Sequence, residues 1–523
     1  MKNGKKLTYV DLLADESIHR EYEKALDLVQ PGLGKSNPLM IDGGEILSAP
    51  EFTVISPFDL RIIVGKFQSS TPAMIRSAIA GAYRGFPAWR DRPWKERSGI
   101  IRKTADILDM QKFLLAAVIT YESGKNRYEA IAEVSEAIDM LRYHAEMYEQ
   151  NQGFVVLTRP ESPEAESRSV MKPYGVWAVI SPFNFPLSLA AGMAGAALIT
   201  GNTVILKPTS VAPLSVLKLY HACIAAGVPR DCIQYITGPG SSFGDVITAH
   251  PDIAGIAFTG SREVGMLLQR SFMAKQRYSK PFISEMGSKN PVIVTRYADP
   301  QKAVEGIFKA AFGFSGQKCS AASRVYIHES IADRVIADLR TKVESLVTGD
   351  PRAKETFTGP LIEAKAVERF RESIDRIKKD GGKIISGGNV LTEGNFSLGH
   401  YVQPALVTGL ARSHPLATQE LFVPILIIDT FTTLKEALDE ANSTDYGLTA
   451  GIFSEDDEEV ACFFSSIQSG VAYANRQGGA TTGAWPGTQS FCGWKASGSS
   501  GKGVGGPYYL LSYMREQSQT RIR

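Results

Sequence analysis

The stretch from residue 176 to residue 260 decides the fold. It contains four short apolar runs, each followed by a Gly, Pro or Ser turn and then a helical segment. These runs are VWAVISP (176–182), TVILKP (203–208), CIQYITG (232–238) and IAGIAFTG (253–260). Strands that are apolar throughout are buried on both faces, and strands that alternate with helices indicate a parallel, doubly wound sheet. Because such sheets bind ligands at the carboxyl ends of their strands, we expect the functional site there.

A second α/β region begins near Asn290. Its apolar runs are PVIVT (291–295), RVYIHES (324–330), VPILIIDTF (423–431) and TAGIFS (449–454). The chain is therefore predicted to have two lobes. Residues 1–150, mainly helical after Thr71, are expected to pack around the first lobe. The segment 157–173 interrupts this pattern with prolines and charges, and is predicted to form a hairpin arm or linker.

Length and composition exclude several classes of protein. A chain of 523 residues has room for about three domains or two large ones. The net charge of +2 gives no long-range attraction for nucleic acid, so we expect no nucleic-acid partner. The most apolar stretch, residues 189–199, is too short to span a membrane. Five cysteines without a CxxC pair, and a charged N-terminal stretch without a leader pattern, predict a cytoplasmic protein with no cysteine-based metal site.

Three residues are candidates for the chemistry, and each also has a plainer interpretation. Cys319 lies in FGFSGQKCSAASR (312–324), where small residues leave the thiol reachable and Lys318 could favour the thiolate. A free cysteine is otherwise an inert packing residue. Glu285 ends an apolar strand, where partial desolvation would make it a usable general base, although it could instead be a capping or ion-paired glutamate. Asn184 follows the first strand, where its amide can donate to an oxyanion or cap the next helix.

Glycine-rich turns follow two of the strands. The segments TGPGSSFGD (237–245) and FTGSREVG (258–265) both lie between a strand and a helix, where helix N–H groups can hold a phosphate. Lys207, at the end of TVILKP, is within reach of ribose hydroxyls or a phosphate in such a site. Taken singly, such turns are common and a lone lysine at a strand end is usually just solvated, and the chain has no GxGxxG fingerprint after its first strand.

The motifs resemble the aldehyde dehydrogenase superfamily when they are taken together and in order. They are IxPFNFP, TVILKPT, GxGxxxG, FTGSxxVG, ExGxKNP, GQKCSAASR, ELFVPIL and YGLTAGIF, between about Pro57 and Gly501. The resemblance implies a Rossmann-type cofactor domain, a second α/β catalytic domain and a small β arm for oligomerisation. It also implies that Cys319 is the nucleophile, that Glu285 is the general base and that Asn184 forms the oxyanion hole.

The same resemblance implies NAD as the cofactor and a set of contacts for it. The implied cofactor residues are Ser181, Lys207, Ser210, Gly240, Gly244, Gly260, Ser261, Glu420 and Phe422. One position departs from the family pattern. Many members have a glutamate three residues after the lysine, whereas this chain has Ser210. Because a carboxylate there would repel a 2′-phosphate, its absence leaves NADP possible.

Within the superfamily, the loop ANRQGGATTGAWPGTQSF (474–491) and the cysteine motif look most similar to the 1-pyrroline-5-carboxylate dehydrogenases. These enzymes oxidise L-glutamate γ-semialdehyde to L-glutamate in proline breakdown. The substrate residues implied by this resemblance are Glu136, Phe185, Ser320, Gly483, Ala484 and Phe491. A hydroxyl and two backbone N–H groups suit a carboxylate, and flanking aromatic rings select substrate length. A departure from the subfamily is Cys492, which replaces a glycine of its usual PFGG.

The resemblance also sets the expected domain boundaries. We assign 1–156 and 174–287 to the NAD(P)-binding domain, 288–475 to the catalytic domain and 476–502 to a substrate-anchoring loop. Segments 157–173 and 503–523 form the oligomerisation arm, and we expect these strands to pair across subunits in a homodimer or higher homo-oligomer.

Two rival interpretations stay open. One is an aldehyde dehydrogenase for another semialdehyde or an aliphatic aldehyde. The other is a catalytically inactive structural or binding member of the fold.

Overall fold

The apolar runs of the first lobe form one sheet, as the sequence predicts. Strands Val176–Ser181 and Thr203–Pro208 are adjacent and parallel, and all but one of their residues are buried. Two short antiparallel strands from the N-terminal part extend one edge. Across the sheet, the seven strands are Phe282–Glu285, Ile253–Thr259, Val176–Ser181, Thr203–Pro208, Ile233–Tyr235, Leu39–Ile41 and Gly44–Ile46.

The structure is a computed structural model that describes residues 15–477 and 486–523. In the first lobe, successive residues of one strand enter different cores. Trp177 and Val179 belong to one buried cluster, whereas Val176 and Ala178 belong to another. Because side chains alternate across a strand, this division shows that helices cover both faces of the sheet.

The helices that build these two cores come from the N-terminal part and from the connections between strands. The N-terminal helices are Glu16–Val29, Pro72–Asp91, Trp94–Met110, Lys112–Ser123 and Arg127–Gln150. The connecting helices are Pro186–Ile199, Leu214–Ala226, Gly240–Ala249 and Arg262–Lys275. The expected packing of the N-terminal part against the first lobe is therefore observed.

The second lobe has its own seven-stranded sheet, as its apolar runs predict. Its strands are, in order, Lys383–Ser386, Ala405–Thr408, Ile425–Phe431, Ala322–His328, Asn290–Val294, Thr449–Phe453 and Val471–Ala474. Its helices are Pro300–Phe312, Glu329–Glu344, Ala364–Lys379, Pro415–Thr418, Leu434–Asn442 and Asp457–Ser466. Only one strand pair of this sheet, at its edge, is antiparallel among the described residues. The two-lobed α/β fold expected from the sequence is thus confirmed.

Smaller elements complete the chain. One small sheet contains Ser36–Asn37, Ile63–Gln68 and Glu51–Ile55, and another pairs Tyr446–Gly447 with Trp494–Lys495. Short 3-10 helices span Gln30–Gly32, Gly313–Gly316, Gly394–Leu398 and Tyr509–Tyr513. Within the described residues, no helix combines the length and apolarity that crossing a membrane requires. The same residues contain no cluster of three or more His, Cys, Asp or Glu side chains suited to a metal ion.

The arm differs from expectation in one respect. Strand Ala165–Pro173 pairs antiparallel with the C-terminal strand Met514–Ile522 over nine residue pairs, and Val155–Leu157 lies on its other side. The sequence analysis predicts that the two long segments pair across subunits, but they pair within one chain. The intrachain register leaves the outer edges of Val155–Leu157 and Met514–Ile522 as the free edges of the arm.

Candidate active site

A cavity of about 720 Å³ lies between the two lobes. Its floor is formed where strands Val176–Ser181, Thr203–Pro208 and Ile253–Thr259 end, which is the edge that the parallel sheet predicts for a ligand. The second lobe contributes Cys319 and Glu420 to the wall. The volume lies in the range typical of small-molecule and cofactor sites.

Cys319 is held by its main chain between two strands of the second lobe. Its carbonyl accepts a hydrogen bond from Asn290 Nδ2 at 2.8 Å and another from the Ser288 hydroxyl. The preceding 3-10 helix, Gly313–Gly316, contains two non-glycine residues with positive φ, which turn the chain sharply toward the cavity. Cys319 is half-buried as a residue and lines the cavity.

The surroundings of this thiol favour its neutral form. Burial raises the pKa of Cys319 to about 12, and the carboxyl groups of Glu420, Glu285 and Glu136 act in the same direction. The N–H of Ser320 donates to the sulfur and opposes the shift. Lys318, which the sequence suggested as an activating cation, instead pairs with Glu129 at 2.6 Å. The thiol therefore needs a base or a nearby positive charge to ionise near neutral pH.

Asn184 lines the same cavity as Cys319 and is almost fully buried. The helix that follows starts at Pro186, with Phe185 rather than Asn184 at the N-cap position. The N–H groups of Leu187 and Ser188 donate to the Glu133 carboxylate, at 2.9 and 3.3 Å. The capping interpretation of Asn184 is therefore wrong, because another residue performs that task.

Glu285 lies at the end of its strand, but its carboxylate is turned away from the cavity. Its Oε2 accepts a hydrogen bond from the Gly493 N–H at 2.8 Å, and Oε1 has no partner among the described residues. Burial raises the pKa of Glu285 well above its usual value, and the Gly493 hydrogen bond opposes this shift only partly. The adjacent Met286 and Gly287 do line the cavity. The structure thus brings Cys319 and Asn184 together and holds Glu285 just behind the wall.

All nine predicted cofactor residues line the cavity. They are Ser181, Lys207, Ser210, Gly240, Gly244, Gly260, Ser261, Glu420 and Phe422. Ser181 has a buried hydroxyl with no partner in the described part of the chain. Lys207 is buried and donates to the Pro208 carbonyl at 2.8 Å, and burial lowers its pKa to about 8. An ammonium has three donors, so this lysine retains capacity for a ligand.

The far end of the cavity suits the adenosine and phosphates of a dinucleotide. Val264 and Leu267 line it with apolar side chains that are 45% and 65% exposed. The helix Gly240–Ala249 begins after Pro239 without a side-chain cap, so its first N–H groups face the cavity end that Gly240 lines. An apolar wall, uncapped N–H groups and a spare hydroxyl fit the parts of NAD.

Glu420 and Phe422 close the cavity from the second lobe. Glu420 Oε1 accepts from the Ser288 N–H at 2.8 Å, and a Cβ added at Gly287 would collide with the same carboxylate. Burial raises the pKa of Glu420 to about 7. Phe422 has a φ of 57° and meets the edge of Phe183 with the ring centroids 5.8 Å apart. The glycine at 287 is therefore required for the approach of Glu420.

Of the predicted substrate residues that the structure describes, Ser320 donates its N–H to the sulfur of Cys319, and Glu136 raises the pKa of that thiol. Gly483 and Ala484 lie outside the described residues. Ser320 is buried beside the thiol, whereas Phe491 is half-buried and bonds through its N–H to the Val504 carbonyl at 3.0 Å. Glu136 is half-buried, and burial together with Glu133 raises its pKa to about 8. Phe185 lies under a lysine, Lys125, whose Nζ is 3.4 Å from the ring centroid.

Sequence reasoning missed several residues of the site. Arg369 lines the cavity beside Glu420 and donates to the Leu421 carbonyl at 3.1 Å. Lys125, Glu129 and Glu133 form ion pairs or hydrogen bonds behind the catalytic candidates. No local pattern marks these positions, because each lies within an ordinary helical segment or just before one.

Comparison with known proteins agrees with the order of the sequence motifs. A sequence model of the aldehyde dehydrogenase family matches residues 47–518. The chain is 36% identical over 511 residues to 1-pyrroline-5-carboxylate dehydrogenase 1 of Halalkalibacterium halodurans, covering 97% of both proteins. This similarity confirms the resemblance drawn from the motifs.

Solved structures show the same fold. A mutant of Thermus thermophilus 1-pyrroline-5-carboxylate dehydrogenase superposes with a TM-score of 0.93 at 30% identity, over 100% of both chains. A 1-pyrroline-5-carboxylate dehydrogenase from Thermus with bound NAD gives the same TM-score and identity, again over 100% of both chains. Since sequence and structure agree over nearly the whole length, the chain belongs to the aldehyde dehydrogenase family.

Proposed function

We propose that this protein oxidises L-glutamate γ-semialdehyde, the open form of 1-pyrroline-5-carboxylate, to L-glutamate with NAD in proline breakdown. The observation that carries the proposal is that Cys319 and Asn184 line the same cavity as all nine residues expected to hold the dinucleotide. Similarity to 1-pyrroline-5-carboxylate dehydrogenases over nearly the full chain supports the choice of substrate.

The first step forms a bond between the Cys319 sulfur and the aldehyde carbon. The thiol gives its proton to solvent water, the sulfur bonds to the aldehyde carbon, and the carbonyl π electrons move onto oxygen to give a thiohemiacetal oxyanion. Asn184 donates its side-chain N–H to that oxygen, together with the main-chain N–H of Cys319. When bound, NAD accepts the hydride that leaves this carbon, and the carbon becomes a thioester. The Cys319 carbonyl, fixed by Ser288 and Asn290, keeps the sulfur oriented during both changes.

The second step returns the enzyme to its thiol form. Glu285 takes a proton from water, the hydroxide oxygen bonds to the thioester carbon, and the carbon–sulfur bond breaks; the proton on Glu285 then passes to the Cys319 thiolate, which restores the thiol. Burial keeps the pKa of Glu285 high, so that the ionised form is a strong base once it has formed. To reach the thioester, the carboxylate must leave the Gly493 N–H and turn toward the cavity.

Recognition of the substrate rests on residues next to the thiol. Ser320 supplies a hydroxyl for the α-carboxylate, and Gly483 and Ala484 supply backbone N–H groups in the same proposal. In the same proposal, Phe185 and Phe491 bound the aliphatic chain, and Glu136 meets the α-ammonium. These roles follow from the family resemblance and are supported here by the position of Ser320 beside the sulfur.

The proposal extends to assembly and compartment. The arm carries exposed apolar side chains on its edge strand, with Val156 and Leu157 60% and 75% exposed. An apolar edge with unpaired N–H groups favours a homodimer or larger homo-oligomer.

All five cysteines are free, which favours the cytoplasm. We also retain the domain boundaries 1–156 with 174–287, 288–475, 476–502, and 157–173 with 503–523.

One kinetic panel tests the function. It measures kcat/KM for glutamate γ-semialdehyde, succinate semialdehyde and propanal, each with NAD and with NADP. We expect the highest value for glutamate γ-semialdehyde with NAD. Equal values for propanal would reject the substrate assignment, and no turnover of any aldehyde would reject the enzymatic function itself.

A further inference from the structure

A buried ion pair lies behind the residues proposed to hold the oxyanion. Lys125 Nζ and Glu133 Oε2 are 2.6 Å apart, and both side chains are fully inaccessible to solvent. Removing two charges from water costs several kcal/mol per ion, and their attraction offsets this only when further hydrogen bonds satisfy both groups. The pair is therefore weak evidence for stability, and its contacts need another explanation.

The second oxygen of Glu133 supports the helix next to Asn184. Oε1 accepts from the Leu187 and Ser188 N–H groups, which are in the first turn of Pro186–Ile199. These N–H groups have no partner inside the helix, and a carboxylate there also interacts favourably with the helix dipole. Because the helix begins two residues after Asn184, this contact fixes where the amide-bearing loop ends.

Lys125 supports the same loop from its other side. Its ammonium lies 3.4 Å from the centroid of the Phe185 ring and 5.1 Å from that of Phe314. A desolvated ammonium over an aromatic face is strongly attracted by the negative face of the ring. Phe185 directly follows Asn184, with φ of −138° and ψ of 65°, so its ring and its backbone are both held.

The helix that carries Glu133 also holds the segment before the nucleophile. Glu129, one turn earlier in Arg127–Gln150, pairs with Lys318, which directly precedes Cys319. The glutamates of helix Arg127–Gln150 therefore contact both regions: Glu133 supports the helix after Asn184, and Glu129 holds Lys318 next to Cys319. Glu136 is a further carboxyl group that interacts with Lys125 and Lys318.

We propose that Glu133 is a positioning residue for the acylation step, holding the Asn184 amide in its oxyanion-binding orientation through the start of helix Pro186–Ile199. Lys125 completes this device by compensating the carboxylate charge and fixing the Phe185 ring. The inference rests on the proposed function, because it assumes that Asn184 binds the oxyanion.

The chain contains a matched control for this device. Glu122 is also fully buried and accepts from the Leu214 and Ser215 N–H groups, at the start of helix Leu214–Ala226. It caps a helix of the same lobe in the same manner, but that helix does not adjoin Asn184. Glu122→Gln therefore removes a buried capping charge of the same kind from a helix that does not follow Asn184.

The test is a double-mutant cycle on the rate of the NADH burst with glutamate γ-semialdehyde. We expect Asn184→Ala to slow the burst by about 100-fold to 1,000-fold, and Glu133→Gln to slow it by about 10-fold or more. The double variant should be within about threefold of Asn184→Ala alone, since both changes remove one function. Glu122→Gln should keep the burst rate within about threefold of wild type.

Multiplicative effects of Glu133→Gln and Asn184→Ala would overturn the inference, as would equal slowing by Glu122→Gln. If Glu133→Gln does not fold, Lys125→Met takes its place in the same cycle, with the same expected and contrary outcomes. A wild-type enzyme without a burst on any aldehyde would instead overturn the proposed function, so the two failures are distinguishable.

Discussion

The two ends of the cavity are built in different ways. The dinucleotide end consists of main-chain groups and small side chains at strand ends, such as Gly240, Gly260 and Ser261. The thiol end is surrounded by ionisable side chains that arrive from separate segments, and burial shifts the pKa values of Cys319, Glu285 and Glu420 upward. The comparison teaches that cofactor binding depends on local turns, whereas the reactivity of the thiol depends on long-range burial of charge.

The largest expected effect is a loss of activity at the thiol end of the cavity with cofactor affinity at the dinucleotide end unchanged. Cys319→Ala should lower aldehyde oxidation by at least about 1,000-fold, because the proposed thioester forms on the Cys319 sulfur, which lines the cavity. Cofactor affinity should change by less than about threefold, since the dinucleotide end is made of other residues. Steady-state kinetics and fluorescence titration with NADH measure the two quantities. Retained activity would show that the thiol end is not where the chemistry occurs.

A smaller effect is expected at Glu285, which the structure holds behind the cavity wall. Glu285→Gln should slow steady-state turnover by about 100-fold, the usual contribution of a general base. The rapid NADH burst should persist with its full amplitude, because acylation does not need this carboxylate. Stopped-flow absorbance at the NADH band measures both. Loss of the burst in this variant would show that Glu285 also acts in the first step, formation of the thioester.

The influence of neighbouring carboxylates on the Cys319 pKa is tested by the reactivity of the thiol. The Glu420 carboxylate raises the pKa of Cys319, so Glu420→Gln should lower that pKa and increase the thiolate fraction at a fixed alkaline pH. We expect alkylation of Cys319 by iodoacetamide to become about threefold to tenfold faster. Mass spectrometry of the Cys319 peptide gives the rate, with the exposed Cys462 as the internal reference. Unchanged alkylation would show that Glu420 does not influence the thiol.

The smallest effect concerns stability. Burial raises the pKa of Glu122 from 4.5 to about 7, so the folded protein binds more protons than the unfolded chain between these values. Wild-type stability from this group therefore falls as pH rises from 4.5 to about 7. Glu122→Gln stays neutral, so its apparent Tm relative to wild type should rise by a few degrees across this range. A constant difference, measured by calorimetry with Ser345→Ala as a surface control, would contradict the shift.

Much of the fold was predictable because its signals are local. The runs at 176–182 and 253–260 are apolar throughout, so their burial in a parallel sheet follows from their composition. The boundaries also agree closely, since the runs at 176–182 and 203–208 form the strands Val176–Ser181 and Thr203–Pro208. The pairing of Ala165–Pro173 with Met514–Ile522 within one chain was not predictable, because strand partners so far apart in the sequence leave no pattern in either segment.

The candidate site divides in the same way. Cys319 and Asn184 were recognisable from glycine-flanked and strand-end positions, and the family resemblance joined them. The orientation of Glu285 toward Gly493 could not be predicted from the sequence, because it depends on a main-chain N–H that is 208 residues away in sequence.

Local composition was enough to predict which segments are buried strands and which thiol, amide and carboxylate are candidates for the chemistry. The neighbours that hold these groups in place, and the burial that shifts their pKa values, are visible only in the folded chain. Glu133 accepts a hydrogen bond from the N–H of Leu187, which is 54 residues further along the chain. Lys318 forms its ion pair with Glu129 and not with the neighbouring Cys319. The physical reason is that a pKa and a hydrogen bond depend on desolvation and on neighbours in space, which short-range sequence patterns do not encode.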